Sequence, residues 1–218
     1  IGLDQRKNDN LPTVIDTLSE VKVIWASCGD KITSFLTDTG MVYIADKKVP
    51  KNRPCKLNIP IQCCYCACGV NCTYSIAVDG SLYLSSEDPT EDPIHFTLPK
   101  AVYDVAGGDN FAIAVTVDHV AYGYGKIVGC KEFKPIPSLA NVRVLRVFGY
   151  NQHAAVIDLD GVTYTWGNGS NGRLGHGDDT SLDFFKAVEK LKTKKIVDID
   201  MGDSHTIFID SEGNVYGC

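Results

Sequence analysis

Short apolar runs, broken by glycines and acidic turns, recur along the chain, and no stretch sustains a helical period of apolar residues between two caps. Five glycines, Gly29, Gly69, Gly108, Gly149 and Gly202, each open a segment that closes eleven or twelve residues later at Gly40, Gly80, His119, Gly161 and Gly213. Nine of these ten slots hold glycine, against a background usage of about 7%. Successive opening glycines lie 40, 39, 41 and 53 residues apart, a period that belongs to solenoids, propellers and arrays.

Each unit carries two strand signals around its first glycine. A β-branched or aromatic run precedes it (VKVIWAS, IQCCYCA, AVYDVA, VRVLRVF, KIVDID), and a second run follows and ends in an acidic tight turn. Beyond the turn a third run begins with an apolar residue and Tyr43, Tyr83, Tyr122, Tyr164 or Tyr216. An Asp-Gly type turn between apolar runs is a hairpin signal, because both central positions take positive φ. The best helical candidate, residues 183–195, is short and lies in a connection. The chain is therefore predicted to be all-β, with strand-rich units of about 40 residues that suit propeller blades. A β-sandwich does not predict such matched spacing.

The segment from Tyr164 to Asp178, YTWGNGSNGRLGHGD, resembles the repeat signature of the regulator of chromosome condensation family of β-propellers, as does Met201 to Thr206. The resemblance covers essentially the whole chain, with repeats at about 1–47, 48–87, 88–126, 127–178 and 179–218 forming a single propeller region. It is strong in the last two repeats and eroded in the first three. Ile32, Cys72 and Phe111 stand where His205 stands, His153 takes that position with one inserted residue, and Trp166-Gly167 becomes Ala45-Asp46, Ser85-Ser86 and Tyr124-Gly125. Ile1-Gly2-Leu3-Asp4 resembles Leu174 to Asp178, and Cys218 falls where Trp166 falls, so both ends sit inside a repeat. The resemblance implies a ring of about seven blades, of which five repeats are present here, so either further repeats are expected outside these residues or the ring is atypical.

Composition narrows the partners. Lys and Arg number 21 against 27 Asp and Glu, a net charge of −6, which speaks against nucleic acid as the primary ligand. The basic run Lys190, Lys192, Lys194, Lys195 reads as a solvated connection. No stretch reaches the length of a membrane span, and the expected location is intracellular, cytoplasmic or nuclear. Among nine cysteines, Cys64, Cys66 and Cys68 alternate along one strand, about 6.6 Å apart, too far to converge on one zinc without distortion. They are expected to be packed thiols. His205 and His153 recur at one position of a structural unit and are expected to make a repeated hydrogen bond from the strand start to neighbouring backbone. Asp158-Leu159-Asp160-Gly161 lacks the further ligands of a calcium loop. The segment GNGSNGRLGHGDD lacks the ending of a phosphate loop and reads as a link between blades.

No nucleophile, base and orienter set stands out, and no cofactor or metal is expected. The first expectation is a non-catalytic protein-interaction propeller, a regulatory or scaffold module, with Arg173, His176, Asp178 and Asp179 as the candidate partner-binding loop. The alternative, implied by the family's founding activity, is guanine-nucleotide exchange on a small GTPase of the Ran type. A light-sensing member would need clustered tryptophans, and only Trp25 and Trp166 exist. A ubiquitin-ligase context would place the catalytic domain elsewhere.

Overall fold

The computed structural model describes residues 12–46 and 53–218, so the motif at Ile1-Gly2-Leu3-Asp4 lies outside the described residues. All described strands fall into five antiparallel sheets, each a meander in chain order. The first holds β1 (Val23–Cys28), β2 (Ile32–Thr37), β3 (Val42–Asp46) and β4 (Cys55–Lys56); the second holds β5 (Cys63–Cys68), β6 (Cys72–Ala77), β7 (Leu82–Ser86) and β8 (Ile94–Phe96). The third holds β9 (Val102–Gly107), β10 (Phe111–Thr116), β11 (Ala121–Gly125) and β12 (Cys130–Pro135). The fourth is β13 (Val144–Tyr150), β14 (His153–Asp158), β15 (Thr163–Gly167) and β16 (Leu182–Ala187), and the fifth is β17 (Ile196–Met201), β18 (Thr206–Asp210) and β19 (Val215–Gly217). The chain is all-β, and each sheet has the form of a propeller blade. Residues 183–195 form most of β16 and a 3-10 turn at Glu189–Leu191.

The chain divides into two compact units, one ending at Pro99 and the other starting at Lys100. The first contains two sheets and the second three. Sheets and sequence repeats are offset by one strand. Lys56 pairs with Tyr43, Phe96 with Leu82, Pro135 with Tyr122 and Ala187 with Tyr164, so the strand that opens each later repeat completes the sheet before it.

Every first strand carries a β-bulge at the same place. The register skips Ile24, Cys64, Tyr103, Leu145 and Val197. An extra residue in one strand turns the side chains after it to the other face, so the buried residues are three apart rather than two: Cys63 and Cys66, Val102 and Val105, Val144 and Val147, Ile196 and Ile199. Ile24, Cys64, Leu145 and Val197 are exposed, Ile24 by 57%, while Tyr103 is partly buried against the core. This corrects the expected cysteine alternation. Cys64 is the exposed bulge residue, while Cys63, Cys66 and Cys68 join Ile32, Leu36, Val42, Ile44 and Leu57 in the core of the first unit. Ser34 Oγ lies 3.4 Å from Cys66 Sγ and 3.2 Å from Cys68 Sγ. Among the described residues no group of three or more His, Cys, Asp or Glu could hold a metal ion.

Second strands are covered on both faces. All six residues of β2 and of β10 are buried, and β10 accordingly reads as an apolar run up to its last residue. In the second unit one core joins Phe111, Ile113 and Val115 to Val144, Val147, Val156, Trp166 and Phe185. A further core joins Ala155, Ile157, Val188 and Leu191 to Ile196, Ile199 and Phe208. In β18 burial alternates instead, with Phe208 inside and Ile207 and Ile209 outside.

The repeated glycines separate into two kinds. The closing slots take positive φ, 76°, 83°, 85° and 84° at Gly40, Gly80, Gly161 and Gly213, and His119 adopts 66° in the same slot. The opening slots are places of close approach: a Cβ on Gly29 would overlap the carbonyl oxygen of Gly69. Their N–H groups bond the carbonyl three residues on, at Ile32, Cys72, Phe111 and His205. In the fourth sheet the residue three before His153 is Tyr150, which pairs with it. Gly149 therefore sits one position before the slot assigned to it, matching Gly107, and the spacing to Gly161 becomes eleven with no insertion.

Gly29→Ala is expected to lower stability by roughly 3 kcal/mol, since backbone must move. Gly213→Ala should cost roughly 1–2 kcal/mol from positive φ alone, because nothing lies within 4 Å of its added Cβ. Urea unfolding of both variants checks the order. Thiol labelling of the native protein should reach Cys28 and Cys64 first, both exposed. Cys63 and Cys66, pushed up to about 12 chiefly by burial, should react only on unfolding.

Candidate functional site

The loop from Asn168 to Thr180 connects β15 to β16, and its polar groups are tied to the fold at almost every step. Asn168 is held by Gln152 through a main-chain bond of 2.9 Å and a side-chain bond of 2.9 Å. Gly172 N–H donates to Asp179 Oδ1 at 2.8 Å, and Thr180 N–H donates to Asp178 Oδ1 at 2.8 Å, which helps hold the Asp178 carboxyl below its ordinary range. The turns need positive φ at Asn171, Gly172, Gly175 and Gly177.

Of the four candidate partner residues, Arg173 is only 7% exposed. Its Nε donates to Ser170 O at 2.8 Å and its guanidinium to Asp203 O at 2.7 Å, so the side chain pins the loop to the turn before β18. His176 is half-buried over Thr165, while Asp178 and Asp179 remain exposed. The structure thus gathers all four on one loop but leaves only the two carboxylates open to a partner.

Two histidine and threonine relays flank this loop. Thr206 Oγ1 donates its proton to Arg173 O at 2.7 Å, so His153 Nε2, 3.1 Å away, must be the donor to that hydroxyl. Thr165 likewise donates to Leu174 O at 2.8 Å and accepts from His176 Nε2 at 2.9 Å. His153 is 0% exposed, its Nδ1 is left without a partner, and burial with Arg173 nearby lowers it to about 4. Burial, with Lys186 second, also lowers His176. A histidine beside a hydroxyl is the start of a nucleophile pair. Here both hydroxyls are fully buried and their protons are engaged, so no substrate reaches them.

The expectation for His153 and His205 changes accordingly. His153 does reach the neighbouring sheet, through the Thr206 hydroxyl. His205 is exposed, with its ring lying over Gly202. Trp166 packs edge-on against Phe111 at 5.2 Å and beside Phe185 at 6.3 Å. A charge row that sequence reasoning missed crosses the first strands: Arg146 lies 4.0 Å from Asp104 and 3.3 Å from Asp198, above the Phe148 ring. Asp104 also accepts from the N–H of Val105 and of Val147. The acid in the third position of β9 and β17, opposite an arginine in β13, was the available signal.

The regulator of chromosome condensation (RCC1) repeat matches residues 160–209, the stretch that holds the braced loop and the Thr165–His176 relay. The chain is a divergent RCC1-type propeller. It is 31% identical over 175 residues to the E3 ubiquitin-protein ligase HERC2 of Mus musculus, covering 69% of this chain and 4% of that protein. It is also 31% identical over 130 residues to the mitochondrial RCC1 domain-containing protein RUG3 of Arabidopsis thaliana, 55% of this chain and 29% of that one. Among solved structures, human WBSCR16 superposes with a TM-score of 0.75 at 19% identity, over 88% of this chain and 58% of that chain. Yeast RCC1 (Prp20), solved with Kap60, gives 0.73 at 17% identity, over 89% and 54%. The RCC1-type chain described here thus spans under two thirds of the length of each of these relatives.

The relays predict a pH dependence. Because folded His153 titrates near 4, below its ordinary 6.5, the unfolded chain binds the extra proton first as pH falls. Stability should therefore be full above about 6.5 and decline toward 4, by on the order of 3 kcal/mol. His153→Phe, the residue type found at this position as Phe111, should flatten that decline in thermal melts across the range. Thr206→Val should cost about 1–3 kcal/mol at pH 7, because it strands the Arg173 carbonyl and the His153 N–H.

Proposed function

We propose that this chain is a non-catalytic protein-interaction propeller serving as a regulatory or scaffold module of a larger protein in the cytoplasm or nucleus. The observation that carries the reading is the internal use of the polar groups that chemistry would need. His153, His176, Thr165, Thr206 and Arg173 all brace the loop after β15, and what remains outside is a preorganised surface. Rigid loops lower the ordering cost of association. The likeness to HERC2, of which the chain spans 4%, supports a module within a larger assembly. Asp178 and Asp179 are the part of the proposed partner loop that a basic surface on another protein would meet.

Exchange on a small GTPase is the second reading. A study of the Prp20p structure concerns its binding to Gsp1p and histones, and this chain shares that fold at a TM-score of 0.71. Exchange would need loops that prefer the nucleotide-free GTPase. The net charge of −6 disfavours histone-bound DNA as a docking site. Among the described residues no helix is long and apolar enough to cross a membrane.

Release of labelled GDP from Ran, Rab, Arf and Rho GTPases, measured with the full-length parent protein, is expected to stay at the uncatalysed rate. Acceleration of one GTPase by orders of magnitude would replace the scaffold reading with exchange.

A further inference from the structure

The second unit contains a groove of about 340 Å³ between β12, with the 3-10 turn after it, and β16. These are the outer strands of their sheets, each paired on one side only. The walls are mainly apolar, formed by Ile127, Val128, Ile136, Phe184 and Phe185 with the Trp166 side chain, and Lys134, Ser138 and Asp183 are their polar members. Two features set this groove apart from ordinary packing. Phe184 is 50% exposed and lines the groove, which leaves an aromatic ring available to a partner. Trp166 is 4% exposed, and its Nε1–H has no acceptor.

A buried indole N–H normally finds a partner, and Trp25 shows the contrast, donating to Cys66 O at 2.9 Å. The unmet donor calls for a carbonyl oxygen, and the walls call for an aromatic or branched side chain. A single residue of an extended polypeptide offers both a few ångströms apart, and a volume of about 340 Å³ has room for one large side chain and its peptide group.

We infer that this groove is a docking site for an extended segment of a partner protein, which seats one bulky apolar side chain against Phe184 and presents its main-chain carbonyl to the Trp166 indole N–H. The inference rests on the protein-interaction reading above and gives it a surface.

With two tryptophans in the chain, the indole N–H resonances offer a direct test in the full-length chain, the bonded Trp25 serving as internal reference. The probe is N-acetyl-phenylalaninamide, titrated to millimolar concentration beside toluene. The expected result is a saturable downfield shift of the Trp166 indole proton with the capped amino acid and none with toluene, Trp25 staying still. Phe184→Ala, a change at an exposed side chain, should weaken that binding by about tenfold. No Trp166 shift, equal movement of Trp25, or the same shift with toluene would overturn the inference. Affinity capture that finds a partner insensitive to Phe184→Ala would likewise overturn the groove while leaving the protein-interaction reading in place.

Discussion

Burial of the second strand on both faces governs the rest of this structure. In β2 and β10 no residue reaches water, and the main chain of such a strand can be satisfied only by a neighbour on each side. The meander supplies those neighbours within a few residues, and sheets stacked face to face supply the cover. Several of the polar side chains there find partners in the next sheet or in their own turn. Ser34 beside Cys66 and Cys68, and His153 with Thr206, do the first, and Thr37 with Met41 and Thr116 with Val120 do the second.

Stacking sheets also explains why the repeat tolerates erosion. Ile32, Phe111 and His153 occupy one position and are all buried, so the slot asks for volume there, and the buried histidine is matched by a hydroxyl opposite. At the sheet rims the constraint is electrostatic. Asp210 takes bonds from Glu212 and Asn214 N–H, the Asn214 side chain and Tyr216 OH, which hold its carboxyl down to about 2. Asp158 makes the corresponding bonds to Asp160, Val162 and Tyr164. The first sheet uses Thr37 for the same turn, closing it through Met41 N–H.

A scaffold built this way spends its polar groups on itself. Arg173 and His176, which look like ligand-binding residues along the sequence, are braces. Association must then use what is left over: carboxylates on a rigid loop, and a groove beside an outer strand where an aromatic ring and an unmet donor lie together. Both suit a partner that adapts to a fixed surface rather than one that reshapes it.

Strand content, the turn slots and the family were legible along the chain, because turn glycines and apolar runs are local requirements that each unit must meet again. The bulge was not read, although the pairs Cys63 and Cys66, Val144 and Val147, and Ile196 and Ile199 carry its spacing of three; strict alternation is the simpler pattern and placed Cys64 inside. Tyr150 in a glycine slot was hidden for a related reason, since Gly149 beside it matched the motif. Sequence alone determined what each unit is made of. Tertiary structure decided which polar side chains are spent and which remain, because Thr206 and Arg173, or Trp166 and Phe111, meet only when separate sheets are stacked.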